Sequence, residues 1–431
     1  MMTQRLVTVC VVLLITSGCA RHDKQEPPKG SAAKELVARV SQPVRVSAAE
    51  RDAAEPALAT SRDGSLYIAW VEHRESEADV LFAKLDREGK PSGAPARINP
   101  KVGEATAWRG DPPTITVGQD GNVYVGWTAR VAGAEHANDL YLSTSRDQGQ
   151  TFDPPVRVND DRKPAVHGMH SLAVSTDNRL YMAWLDERNI HPTQPSEQAG
   201  GHHMESNREV FMSVSSDGGR SFAPNLRVAS DACPCCKTAL AVARDGRLYV
   251  SWRQVLPGDF RHIAVASSED AGKTFQPPII VSDDRWMLKG CPVSGAALSA
   301  GADKALHVLW YAAGEKGEPG FYWSESRDGG RSFAPRRLFA GAQARGTPIL
   351  LQRNGNSDVM AVWEVNDKGS SSIILARLVS DTGTTDSQTV TDNGALPAAA
   401  TAGDDLYIAY VGRGGGDSQQ RSIWLARAKS V

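Results

Sequence analysis

The sequence predicts an all-β fold, a β-propeller, and three observations predict it. A strand-like segment closed by an aromatic residue recurs along the chain: DGSLYIAW to Trp70, DGNVYVGW to Trp127, DNRLYMAW to Trp184, DGRLYVSW to Trp252, DKALHVLW to Trp310, SDVMAVW to Trp363 and DDLYIAY to Tyr410. A second motif, SxDxGx[ST]F, starts at Ser145, Ser215, Ser268 and Ser326. The aromatic ends lie 57, 57, 68, 58, 53 and 47 residues apart. That period, with short strands, turn dipeptides and no long helical pattern, is the signature of propeller blades.

Each unit divides into four strands. In the second, Thr114 to Val117 is the inner strand, Val123 to Trp127 follows a DG turn, Asp139 to Thr144 is the third and Val156 to Val158 the fourth. Alternating apolar residues between turn signals support this division. The SxDxGx[ST]F motif falls between the third and fourth strands. Its Asp carboxylate is suited to accept backbone N–H bonds across a tight turn, its Gly to take a positive φ, and its Phe to plug between sheets. Asp147, Asp217, Asp270 and Asp328 are therefore read as structural.

Length agrees, since seven units over the mature chain give roughly 55 residues per blade in one domain, 43–431. The last unit ends at Ser422 to Arg427 with nothing after it to serve as a fourth strand, while PVRVS from Pro43 is similar to PVRVN from Pro155. The N-terminal strand is expected to complete the seventh blade and protect two sheet edges.

The four boxes resemble those of the Asp-box, or bacterial neuraminidase repeat, propellers, which include sialidases and many relatives without that activity. The resemblance spans about residues 43 to 431 and implies a sialidase-like fold, with six blades as the alternative count. It says less about activity, because propellers host unrelated functions.

The N-terminus predicts a location. Arg5, an apolar run from Leu6 to Ile15 and TSGC fit a lipoprotein signal peptide over 1–18, with Cys19 the lipidated N-terminus and 19–42 a polar tether. The run is too short to span a bilayer by itself. Ala20 after the Cys points to the outer membrane of a bacterial cell envelope, with the lipid bilayer as a partner. A net charge of −2 with dispersed signs excludes a nucleic-acid footprint.

Inner-strand starts and second-strand ends share one face, and the box turns lie on the other. On the first face stand HGMH (His167, Met169, His170), CPCC (Cys233, Cys235, Cys236) and KGCP around Cys291, together with an insertion carrying His202, His203 and Met204. Two readings stay open. An exported protein favours disulfides, with Cys235 or Cys236 bridging to Cys291 and Cys233 taking the remaining neighbour. Cys, His and Met together are also soft ligands for copper, or for zinc, or a redox site, although the spacing matches no established zinc motif.

The resemblance implies, for a sialidase, three arginines clamping a carboxylate, a Tyr activated by a Glu, and an Asp acid/base. This chain departs from that pattern. EPALATS from Glu55 has no Arg-Ile-Pro before it, no Tyr/Glu pair stands out, and Arg97-Ile98-Asn99-Pro100 lies on an outer strand. Polar residues do follow the second strands: Glu72 and His73, then Asp186, Glu187, Arg188, Arg253 and Glu364, the last five forming the candidate catalytic set. Paired carboxylates at suitable separation perform glycoside hydrolysis. The expected function is binding of a glycan or another ligand, protein included, on this face. A sialidase-like hydrolase and a copper, zinc or redox site are the alternatives.

Overall fold

The computed structural model describes residues 38–134, 136–190, 207–288, 292–315, 317–352, 359–378, 387–413 and 420–430. Every regular element among them is a β-strand, and the ladders are antiparallel. In the second unit the strands Thr114–Val117, Val123–Arg130, Asn138–Ser145 and Val156–Arg157 pair in chain order. The first, fifth and sixth units form four-stranded sheets of the same kind, from Asp52–Thr60, Ala297–Ala300 and Ala344–Gln352 as their first strands. The third and fourth units share one sheet through the single pair Ala232 and Gln254.

In the last unit, Ala395–Ala402, Asp405–Arg413 and Arg421–Ser430 are joined by chain from the other terminus. Val44 and Arg45 pair with Leu425 and Trp424, as PVRVS predicts. Ala38–Val40, expected in the tether, also pairs with this strand, from Ser430 to Ala428. Residues 38–40 therefore belong to the sheet of the last unit, ahead of the domain start expected at 43. They alternate, with Ala38 buried and Arg39 exposed, and the long partner strand has backbone left to receive them.

The second strands are buried on both faces. Leu66 to Val71, Leu180 to Asp186 and Leu248 to Arg253 show almost no exposed residue, so these strands are buried along their length rather than at alternate positions. A strand of that kind needs a layer on each side. It finds them in seven apolar clusters, each made by two units. Trp70 packs with Tyr407 and Leu425, so the first unit meets the last. First strands also lie side by side from unit to unit, and that of the last unit lies beside that of the first.

The box turns join neighbouring units. In the third unit, Asp217 Oδ1 accepts the Ser221 and Arg220 amides at 3.0 Å, and its Oδ2 accepts the Ser221 hydroxyl at 2.6 Å. The Gly219 amide donates to Ser215 Oγ at 2.9 Å. Gly219 has φ +79°, and a Cβ there would stand 2.7 Å from Thr144 and 2.8 Å from Leu142 of the preceding unit. Gly149 meets Phe82, and Gly330 meets Tyr249, in the same way. The glycine is thus required by conformation and by close approach together.

Hydrogen bonds from Thr151, Thr274 and Ser332 hold Asp147, Asp270 and Asp328 down to about 2, and at Asp217 the Ser221 bonds outweigh burial to the same effect. These carboxylates are depressed in the folded state, so their contribution is in place above 3.8 and is lost as pH falls towards 2. Thermal melts between pH 5 and 2 should show that loss, and Asp217→Asn combined with Asp328→Asn should flatten the profile. At neutral pH, Asp217→Ala should cost about 1–2 kcal/mol by thermal unfolding.

Candidate functional site

The first strands begin irregularly, and the irregularity builds a pit. Register shifts fall between Ala54 and Ala57, Gly168 and Ser171, Arg345 and Ile349, and Ala395 and Ala398. Glu55, Met169, Val293 and Leu396 have φ between 45 and 54°, and Gly346 has 71°. Bulges of this kind re-aim side chains, and non-glycine residues at positive φ persist where the surroundings over-determine them. Prolines at 56, 348 and 397 follow within two residues, at the start of strands where a ladder amide is dispensable.

The resulting pit, about 80 Å³, is lined by Glu55, Arg109, Lys237, Arg345, Glu364 and Leu396, from five units. Arg109 Nη2 reaches both oxygens of the buried Glu364 carboxylate at 3.0 Å, and the Leu396 amide donates to Glu364 Oε2 at 3.0 Å. Glu55 lies 2.5 Å from His73 Nε2. Arg345 donates only to the Ala342 and Ala344 carbonyls, and Lys237 only to the Pro112 carbonyl at 3.3 Å, among the described residues. Burial brings the Lys237 amine down to about 8, with Asp111 opposing.

Beside the pit lies a second cavity of about 370 Å³, walled by Trp108, Arg130, Asn138, His167, Met169 and Cys235. Trp108 is 46% exposed, an unusual state for an indole. Its ring crosses Gly110, where a Cβ would stand only 2.4 Å away. One loop, Trp108 to Pro112, therefore offers an aromatic plate to the cavity and a guanidinium to the pit.

The candidate acids flanking the insertion are engaged elsewhere. Asp186 is fully buried and accepts the Trp184 indole N–H at 2.7 Å, the Arg188 amide at 2.8 Å and the Arg188 guanidinium at 3.0 Å. Arg188 also binds Asp160 at 2.6 Å and Asn225 at 2.8 Å, and stacks over Phe211. Glu187 pairs with Arg208 at 2.6 Å. Arg253 is buried under Trp286, and only Glu364 of the set of five reaches the pit. Asn99 of the outer-strand near miss is buried against Asp79.

His167 and His170 are interior, not rim, groups. His167 and His170 lie inside the strand His167–Val174, with no exposed surface. His167 Nδ1 is 2.6 Å from the Asn138 carbonyl, and Nε2 faces Asp161 at 3.2 Å and Asp186 at 3.5 Å. Burial opposes its protonation, but these carboxylates outweigh it and raise its pKa. His170 Nδ1 is 3.0 Å from Asp111. Neither joins the cysteines in a ligand cluster among the described residues.

Cys233, Cys235 and Cys236 converge, all three Sγ atoms lying within 4.8 Å of one another. Cys235 is disulfide-bonded, whereas Cys233 and Cys236 are free, buried thiols. Of the expected bridges, the one at Cys235 is present, and Cys233 does not pair with the remaining neighbour Cys236. A hydrogen bond from Cys236, helped by Arg253 and Arg261, lowers the Cys233 pKa, while burial raises that of Cys236. Cys19, Cys291, His202, His203 and Met204 lie outside the described residues.

No protein-family model matches the chain, and no curated protein matches it. Solved structures do. A protein of unknown function from Dyadobacter fermentans DSM 18053 aligns with TM-score 0.54 at 15% identity, covering 92% of this chain and 100% of its own. Polysaccharide lyase Uly1 aligns with TM-score 0.54 at 12% identity, covering 87% and 90%. The Hadza microbial sialidase Hz136 aligns with TM-score 0.50 at 13% identity, covering 85% and 77%. The fold is a sialidase-like β-propeller. A shared propeller fold carries many unrelated functions, and function resides in the residues of the site.

Sequence alone passes over Glu55, Trp108, Arg109, Lys237 and Arg345. Their signal is positional, since each sits at or just before a first strand. Because Asp186 is a buried joint, Asp186→Ala should lower stability by about 3 kcal/mol in denaturant titration, and a loss of function without that destabilisation would return it to the site.

Proposed function

We propose that this chain is a seven-bladed propeller closed by its N-terminal strand, which binds a carboxylate-bearing glycan over the central pit. The blade count rests on seven repeat units with an apolar cluster at each junction, the last to the first included. The pairing of Val44–Arg45 with Arg421–Ser430 supports the closure. The four turns around Asp147, Asp217, Asp270 and Asp328 support membership of the Asp-box class.

One observation carries the ligand. Lys237 and Arg345 face the pit without a salt bridge among the described residues, whereas Glu364 is satisfied by Arg109 and Leu396. The pit therefore offers uncommitted positive charge in a partly desolvated hollow, where an anion gains most. Its volume admits a carboxylate head rather than a whole oligosaccharide. The remainder of the ligand would lie across the adjoining cavity, with a sugar ring against exposed Trp108.

Glycoside hydrolysis is a second reading, favoured by the carboxylates of Glu55 and Glu364 at the same pit. The chain would reach its ligand from the bacterial envelope, anchored through an acylated Cys19. Metabolic labelling with a fatty acid should then mark the protein, and Cys19→Ala should abolish the label and release the protein from the membrane fraction.

Calorimetry with a sialylated and a uronate oligosaccharide, each beside its neutral counterpart, tests the binding. The acidic forms should bind, and Arg345→Ala with Lys237→Met should weaken them by about 10- to 100-fold. Equal affinity for the neutral forms would sink the assignment. Release of free sugar in the same mixture, lost in Glu364→Gln, would promote the hydrolase.

A further inference from the structure

The CPCC loop holds two free thiols beside a buried cation, Arg253, that has no carboxylate partner among the described residues. Arg253 is 1% exposed and donates only through Nη2, to the Ser294 carbonyl at 2.9 Å and the Tyr311 carbonyl at 3.0 Å. Its Nε and Nη1 meet no acceptor, and no carboxylate forms a salt bridge with it among the described residues. A buried guanidinium left this way is costly unless an anion stands near it. The backbone ties the two groups together, since the Cys233 amide donates to the Arg253 carbonyl at 2.8 Å.

Cys233 and Cys236 supply that anion best as a pair. Their sulfurs lie within 4.8 Å of each other, in a buried cluster that includes Met169. We propose that Cys233 and Cys236 form a two-coordinate thiolate site for Cu(I), with Arg253 as the buried counter-ion of the anionic complex.

Charge and ligand number select the metal. Two thiolates around a monovalent cation leave one negative charge, which Arg253 neutralises. Two thiolates around Zn²⁺ leave none, so Arg253 would stay unpaired, and a zinc site would still need two more ligands. Cys235 is committed to its disulfide, and the Nδ1 atoms of His167 and His170 are turned to Asn138 and Asp111. Soft thiolates favour Cu(I) in any case. Binding releases the thiol protons to solvent and transfers no electron, because copper enters already reduced. Pro234 and Cys235 belong to both the loop and the wall of the 370 Å³ cavity, which gives the ion a route.

The test titrates the purified full chain, its disulfide intact, with Cu(I) under inert gas against a chromophoric Cu(I) chelator. One equivalent should be withheld from the chelator, zinc should not be retained, and Cys233→Ser with Cys236→Ser should remove the binding. Should that variant fold poorly, copper edge absorption of the wild-type protein should give a two-coordinate, sulfur-only site, and Arg253→Gln should weaken binding about tenfold or more. Copper held equally by the double variant, no copper held by the wild type, or recovery of Cys233 and Cys236 as a disulfide with each other would overturn the proposal.

Discussion

Everything in this structure depends on the second strand of each unit having a sheet on both sides. Trp70, Trp127, Trp184, Trp252 and Trp310 are fully buried, and so are Tyr67, Tyr124, Tyr181 and Tyr249 three residues before the first four of them. No single four-stranded sheet can cover both faces of such a strand, so a unit is stable only beside its neighbours. The box glycines follow from the same requirement. Gly149, Gly219 and Gly330 let the turn of one unit touch the strands of the unit before it, which a side chain would prevent.

Close packing between units also decides the fate of the buried polar groups. His167, Asp186, Arg188, Asp160, Asp161 and Asn225 form one network between the second and third units. Each charge there has an opposite partner, and Trp184 caps Asp186 from within the core. Such a network is expensive to break and of little use for chemistry, because its buried carboxylates, Asp161 and Asp186, are turned to His167 and Arg188. The pit is built differently. Its carboxylate Glu364 is satisfied, but its cations Lys237 and Arg345 are left over.

The strands were legible in the sequence because their signals are local. In the second unit the expected and observed inner strands coincide at Thr114–Val117, and the box motif falls where alternation stops. The partners of Asp186 and His167 were not legible. Asn138 precedes His167 by 29 positions and reaches it only through the face-to-face packing of sheets, while Asn225 follows Arg188 by 37 and meets it only when the third unit's strands pair. Residue type misled as well, since HGMH looks like a ligand loop yet enters the interior at a bulge. The same bulge in other units was not legible because Glu55, Gly346 and Leu396 share a backbone conformation and a place, not a side-chain chemistry.

That shared backbone explains how one fold separates its tasks. Positive φ at Glu55, Met169, Val293 and Leu396 is a repeated cost, and a repeated cost needs a repeated geometric reason. It turns the first residues of the strands away from the ladder and towards the axis, where each unit is free to present a different group without disturbing the sheet behind it. Units one and six present charge at such a bend, the second and fourth bring Arg109 and Lys237 to the same pit without one, and the third presents Met169 to the core beside the cysteines. The fourth does both within two adjacent residues. Cys236 is buried in the apolar cluster between sheets and Lys237 lines the pit, the two meeting where the CPCC turn runs into the first strand. A ligand seated on Lys237 is therefore one peptide bond from the thiols, and the geometry makes the two sites neighbours by construction.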